Sequence, residues 1–271
     1  RETFDRVWRW ASSHLGRQGR DRASLWAWHW QDGGVSDWNV ATDADTDAAL
    51  ALIIAGGRWK DAPTGLPAYH DAARAMLADL RTLVARDADG TNLMLPGAWA
   101  DQRSDARGLV LNPSYLAPGA YRVFAAFTGS EEWTALADDS YVVLSAVCAG
   151  TPPRSVPDWI RWETRAAWAP EGNSARSSWD AIRVPWRVAT DLMWFASPPA
   201  RAWLSTCAEP FVERARNGAP LPVEHELDGR AVGTDDHPLA HAMFAFAASR
   251  ASDRRLLLDR SCLPRDVLGP R

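Results

Sequence analysis

Cysteine is scarce in this 271-residue chain: Cys148, Cys207 and Cys262 lie far apart and form no C-x-x-C pair. That pattern excludes a thiolate zinc site and a disulfide framework. No uninterrupted apolar run reaches the length needed to span a bilayer. The basic residues, nearly all Arg, form no stripe, and the net charge is −4, so no nucleic-acid partner is expected. Low-complexity tracts, Gly/Ser linkers and fixed-period repeats are missing, which makes a single domain over 1–271 the expectation. P-loop, G-x-G-x-x-G and G-x-S-x-G motifs are also missing, and nothing calls for a cofactor. There is no signal peptide and no starting Met. The chain opens inside a helical pattern, with Phe4, Val7, Trp8, Ala11 and Leu15 on one face. It reads as a piece of a longer protein, and its compartment stays open.

What the chain has in excess is tryptophan: 16 Trp against 7 Phe and 4 Tyr. A core filled for volume alone would lean on Leu, Ile, Val and Phe. Trp adds a wide flat face and an N–H donor. Packing between helices must account for most of the 16, and a few are expected to line a groove and stack on flat ligand faces such as sugar rings.

Helical periodicity places helices near 2–15, 43–55, 66–86, 119–128, 131–148, 180–196, 200–216 and 237–250. Gly56-Gly57 is the expected end of the second. Alternating strand patterns are few, "DWIRWET" from Asp158 being the best. Long loops at 20–41, 90–118 and 151–179 are rich in Pro, Gly, Trp and Asp. Loops of that length on a helical scaffold carry function or are disordered, and their Trp content argues against disorder.

The acidic stretch "ATDADTDAALALIIAGGRW" begins at Ala41. A calcium loop starting at Asp43 would need Gly at position 6 and Glu at position 12, where Ala48 and Ile54 stand. A helix start fits better, with Thr42 as N-cap and Asp43 and Asp45 in the first turn, facing the positive end of the dipole. The aromatic loop just before it, "LWAWHWQDGGVSDWN", adds a second role. There, one aspartate can bond a sugar hydroxyl while the others cap. His237 and His241, spaced i, i+4 beside Asp235 and Asp236, lack an H-E-x-x-H core and read as a helix start rather than a metal site. In "SSWDAIRVPWR", from Ser177, Asp180 and Arg183 lie three apart on one helical face among Trp179, Val184, Pro185 and Trp186. That is either a surface ion pair worth a few tenths of a kcal/mol or a candidate base held by an arginine.

"LWAWHW", "ATDAD" with "LALIIAGGRW", "LNPSYLAP", "PDWIRWE" and "SSWDAIRVPWR" occur in the order and spacing of glycoside hydrolase family 8, over about Trp26 to Arg187. The chain resembles that family's cellulose-cleaving endoglucanases, including the type associated with cellulose synthesis. The match beyond about Pro198 is loose. The resemblance implies an all-α fold, an (α/α)6 barrel, incomplete here at the N-terminus and at the C-terminus. It implies inverting hydrolysis of β-1,4-linked glycans without cofactor or metal, a β-1,4-linked polysaccharide or oligosaccharide partner, a monomer, and a secreted or periplasmic setting. Carried onto this chain, Asp180 matches the general base and Arg183 its companion. Asp43 matches the carboxylate that binds and distorts the sugar at the scissile bond, and Tyr115 a tyrosine near the same ring. Trp28 and Trp179 are candidate stacking faces, Trp179 standing where the family often has Tyr. The family's general acid is a Glu in a segment like "SEGQGYGM", and no stretch here matches it. This leaves two rival readings, a glycan-binding pseudoenzyme on the same scaffold and a helical interaction module whose Trp residues only pack. Chitosan and xylan stand as alternative substrates.

Overall fold

The computed structural model describes residues 1–103, 108–150, 155–172, 175–208, 211, 213–214, 217, 219–235 and 237–243. The chain is mostly helical. Among the described residues the main helices run α1 (Glu2–His14), α2 (Thr42–Arg58), α3 (Tyr69–Arg81), α4 (Ala98–Arg103), α5 (Pro118–Thr128), α6 (Glu131–Cys148), α7 (Val184–Phe195) and α8 (Pro198–Trp203). Between them lie short antiparallel strands. These are the hairpins β1 (His29–Gln31) with β2 (Gly34–Asp37) and β3 (Val84–Arg86) with β4 (Asn92–Met94), and the three-stranded sheet β5 (Leu109–Leu111), β6 (Ile160–Thr164), β7 (Ala167–Pro170). The last pair is β8 (Arg176–Ser177) with β9 (His225–Glu226).

The helices form because their apolar residues recur on one face and meet a common core. In α6, Trp133, Leu136, Ala137, Ser140, Tyr141, Leu144 and Val147 are buried, the i, i+3, i+4 spacing of a packed helix. Helix α2 packs on α3 and α5, and α5 packs on α6 and α7. One hydrophobic cluster joins Leu52 and Ile53 of α2, Leu77 and Leu80 of α3, Phe124 of α5, Trp133 of α6 and Val188 of α7. Most tryptophans serve this packing: Trp133 and Trp162 are fully buried, and Trp8 and Trp203 nearly so. Pro118 and Pro185 open α5 and α7 in the first turn, where proline costs no hydrogen bond.

Several local expectations need correction. Gly56-Gly57 does not end α2, which runs on to Arg58. A Cβ at Gly56 would stand 2.1 Å from His70 Cδ2, so glycine there admits the histidine of α3. Thr42 is the first residue of α2 and not its cap; its hydroxyl donates to the Leu95 carbonyl at 2.7 Å. Asp45 and Asp47 do not cap either, for Asp45 is buried against the Trp26 N–H and Asp47 pairs with Arg187. The helix expected over 66–86 stops at Arg81, and Val84–Arg86 is a strand. The helix expected from 180 begins as a 3₁₀ turn, Ala181–Arg183, before α7. The helix expected over 200–216 becomes a π turn at Leu204–Ala208, and 209–210, 212 and 215–216 lie outside the described residues. So do Asp236, Cys262 and the second half of the helix expected over 237–250. The loops at 20–41, 90–118 and 151–179 carry seven of the short strands wholly within them or at their edge. Among the described residues, no helix is long and apolar enough to cross a membrane.

Candidate active site

The N-terminal ends of α2, α5 and α7 meet through the 3₁₀ turn Pro113–Tyr115, which touches α2 and α7. Asp43 stands on the first turn of α2, and Asp180 and Arg183 on the turn that leads into α7. Arg183 bridges the two carboxylates. Its Nη1 donates to Asp43 Oδ2 at 2.6 Å and its Nη2 to Asp180 Oδ1 at 2.7 Å and to Ser114 Oγ at 2.9 Å. Asp43 and Arg183 are 140 residues apart in sequence. The planar fork of a guanidinium suits such bridging, since its donors hold a fixed geometry.

Asp180 has two more partners, on its other oxygen. Asn112 Nδ2 and Trp159 Nε1 each donate to Oδ2 at 3.0 Å. Neither residue stands out from sequence patterns alone, and strand register explains how they meet. Asn112 follows β5 and Trp159 precedes β6, and these strands pair antiparallel with Leu111 opposite Ile160. The next residue on each side is therefore brought to the same end of the ladder. Asn112 is buried and caps the Pro113–Tyr115 turn, its Oδ1 accepting the Ser114 N–H at 3.0 Å and the Ser114 hydroxyl at 2.7 Å. That commits the amide oxygen to the turn and leaves the NH₂ to face Asp180.

The residue before Trp159 holds the backbone on which Asp180 sits. Asp158 Oδ1 accepts the N–H groups of Ser178 and Ala181 at 2.8 and 2.9 Å, and its Oδ2 accepts the Ser178 hydroxyl. The stretch "PDW" thus contributes a clamp on the chain at 178–181 and a donor to the carboxylate. In the sequence it shows as an acid and an aromatic just ahead of an alternating strand, within the quoted "PDWIRWE".

Tyr115 lies against this cluster, its ring centroid 5.5 Å from the Arg183 guanidinium carbon and 5.9 Å from the Trp159 ring. Burial raises the pKa of its phenol, and the nearby Asp43 and Asp180 carboxylates add to the rise; the hydroxyl stays protonated and able to donate. Tyr115 and Trp159 also form one wall of a cavity of about 270 Å³, completed by Trp28, Trp99, Asp37 and Asn39. Asp37 is held below the usual carboxylate range by the Asn39 N–H and then by the indole of Trp28.

The structure thus brings together Asp180, Arg183, Asp43 and Tyr115, with Trp28 across the adjoining cavity. Trp179 is not among the residues lining it. Its ring is 55 % exposed and meets the edge of His237 at 5.2 Å. His237 Nδ1 in turn accepts the Leu239 N–H at 3.2 Å, at the start of the last described helical turn. Among the described residues, no group of three or more His, Cys, Asp and Glu side chains could hold a metal ion. Chemically, the cluster is a carboxylate locked in orientation by three donors, beside a second carboxylate and an aromatic trough.

Comparison with known proteins bears on what such a cluster belongs to. Endoglucanase A of Acetivibrio thermocellus is 33 % identical over 226 residues, which are 80 % of this chain and 42 % of that protein. The endoglucanase of Cellulomonas uda is 32 % identical over 213 residues, 76 % of this chain and 56 % of that one. The chain therefore spans about half the length of the curated relatives it matches. In three dimensions it superposes on a family 8 endo-β-1,4-glucanase from an Achatina fulica gut metagenomic library. The TM-score is 0.75 at 26 % identity, over 98 % of this chain and 80 % of that structure. The sequence profile described as Glycosyl hydrolases family 8 matches residues 1–218, a stretch that holds every residue of the cluster, and the chain belongs to that family.

Proposed function

We propose that the chain carries the water-activating part of an endo-acting, inverting β-1,4-glucanase, with Asp180 as the general base. The observation that carries this reading is the set of three donors on Asp180. A carboxylate offers about four lone-pair positions. Oδ2 has two filled, by Asn112 and Trp159, and Oδ1 has one filled, by Arg183. The remaining acceptor position on Oδ1 is where a water would be held. As that water attacks the anomeric carbon, its proton passes to Oδ1. The bond from that carbon to the glycosidic oxygen breaks, and the leaving oxygen takes a proton from a general acid. Inversion follows when base and acid stand roughly 6.5–9.5 Å apart, with room for the water between them.

In this reading Asp43 grips a hydroxyl of the sugar at the scissile bond, Arg183 sets its distance from Asp180, and the neutral Tyr115 phenol donates to the same ring. Trp28 offers a flat face further along the trough. The substrate reading, a β-1,4-glucan such as cellulose, rests on the relatives named as endoglucanases. The acid is the part with no matched counterpart in the sequence. A second reading is glycan binding without hydrolysis, which the cavity lined by Trp28, Trp99, Tyr115 and Trp159 would serve by itself.

The test is reducing-sugar release from a soluble β-glucan, by this chain and by a version that carries the family's Glu segment. In an active version, Asp180→Asn should lower hydrolysis by about 10²–10⁴-fold, the usual range for acid–base assistance, while oligosaccharide binding stays within a few-fold. A loss of less than about tenfold against that range overturns the assignment of the base. Binding of cello-oligosaccharides with no hydrolysis in either version supports the second reading.

A further inference from the structure

Asp45 takes no part in the chemistry above, yet it is one of the least accessible acids in the chain. It lies on α2 two residues after Asp43 and is 1 % exposed. Its Oδ1 accepts the Trp26 N–H at 3.0 Å, and its Oδ2 is buried with no hydrogen-bond partner. The charged groups that face it are Asp43 on its own helix, Arg17 beyond the end of α1, and Asp79 on α3. Arg17 is committed to the carbonyls of Trp38, Asp21 and Arg22. Asp79 is committed to the N–H and hydroxyl of Ser24. No cation is delivered to the Asp45 carboxyl, and two of its three charged neighbours are acids. An ionised carboxylate is poorly tolerated in such a place, and a neutral acid is the form that burial favours. Burial pushes its pKa up to about 8, over the opposing pull of the Trp26 N–H.

What Asp45 holds leads to the aromatic trough. Trp26, Ala27 and Trp28 are fixed at three points. The Trp26 N–H bonds Asp45, the Ala27 N–H bonds the Leu15 carbonyl at 2.9 Å, and the Trp28 N–H bonds the Asn39 carbonyl at 2.9 Å. Only the first of these points ties the segment to α2, the helix that also carries Asp43. We propose that Asp45, as an uncharged carboxylic acid, is a positioning residue that fixes Trp26–Trp28 against α2 and so sets where the Trp28 ring meets a bound glycan. The last clause rests on the glycan reading above; the fixing of the segment does not. Ionisation of Asp45 at alkaline pH would place a charge beside Asp43 and loosen that tie.

The experiment uses the whole chain, wild type, Asp45→Asn and Asp45→Ala, from pH 6 to pH 9.5. It reads the NMR signals of the Trp26 amide and the Trp28 indole N–H, together with cello-oligosaccharide affinity from Trp fluorescence. In the wild type both signals should move together as pH rises, and affinity should weaken by roughly threefold to tenfold, a modest step on the affinity scale. Asp45→Asn copies the neutral acid, so its signals and affinity should be flat across the range. Asp45→Ala should show the displaced Trp28 signal and weaker binding at every pH. If Asp45→Ala does not fold, the wild type and Asp45→Asn decide between them. A Trp26 signal that titrates while Trp28 stays still would reduce Asp45 to a structural acid and overturn the positioning role. So would an Asp45→Asn protein that keeps the wild-type pH dependence. Absence of any glycan binding by the wild type would sink the glycan reading, and the two NMR signals would still decide the positioning.

Discussion

Arg183 joins Asp43, Asp180 and Ser114 with one planar group. A lysine at this position would keep the charge but offer a single compact ammonium, which cannot hold two carboxylates in one fixed geometry. Arg183→Lys should therefore lower kcat on the order of 10²-fold in an active version, the cost of misplacing reacting groups by about 1 Å, with a smaller change in oligosaccharide affinity. Steady-state kinetics on a soluble β-glucan would check the split. A second residue sets an acid limit on stability. His225 is buried against the edge of Phe211, with ring centroids 4.9 Å apart. Burial, and then the nearby Arg214, push its pKa down to about 4. Its unfolded value is about 6.5. The folded state thus favours the neutral ring, a contribution fully present above about 6.5 and lost as pH falls towards 4. Urea midpoints at pH 7.5 and pH 4.5 should show that loss in the wild type and much less of it in His225→Phe.

At the scale of elements, Gly56 offers a test in which propensity and packing point opposite ways. Alanine is the better helix former by about 1 kcal/mol. Yet a Cβ at Gly56 would fall 2.1 Å from the His70 ring, and His70 is held in place by the Ile53 carbonyl at 3.2 Å. Overpacking of this kind costs about 1–3 kcal/mol, so after the gain in propensity Gly56→Ala should destabilise by roughly 0–2 kcal/mol. Denaturant unfolding gives the sign directly. The same position shows what could be read from the sequence. A Gly-Gly pair after an apolar run looks like a helix end, because the His70 ring that needs the space is invisible until α3 is docked. Helix α6, with eighteen residues of regular apolar spacing, was legible to the residue. Short strands such as β8, two residues long, have no period to read. Asp180 with Arg183 can be read from their spacing among aromatics as a candidate base, and Asp43 as one of the aspartates at a helix start, whereas Tyr115 and the roles of all four rest on the family resemblance. Asn112, Asp158 and Trp159 lie within the same quoted motifs. The meeting of Asn112 and Trp159 at Asp180 depends on the pairing of Leu111 with Ile160, and pairing partners are not written in either strand alone.

At the scale of the molecule, three helices are tied by one buried acid. Asp191 of α7 is fully buried; it accepts from Arg122 of α5 at 2.9 Å and from Tyr141 of α6 at 2.7 Å. Removing it would leave the buried Tyr141 hydroxyl without its acceptor and Arg122 with Asp138 as its acid partner. Asp191→Ala should therefore cost about 1–3 kcal/mol, the usual penalty for a buried polar group left unsatisfied, read as a lower urea midpoint. Nearer the site, Asp47 and Arg187 pair one helical turn beyond Asp43 and Arg183, again 140 residues apart. Two rungs, the second four residues on from the first on each side, join α2 to α7 and the turn that leads into it, like steps on a ladder. Closing so long a loop costs chain entropy that local contacts do not return. The site therefore cannot exist in a chain whose helices have formed but not yet met: its two carboxylates come within reach of one arginine only once segments 140 residues apart are docked, so anything that loosens that docking dissolves the site even while each helix persists.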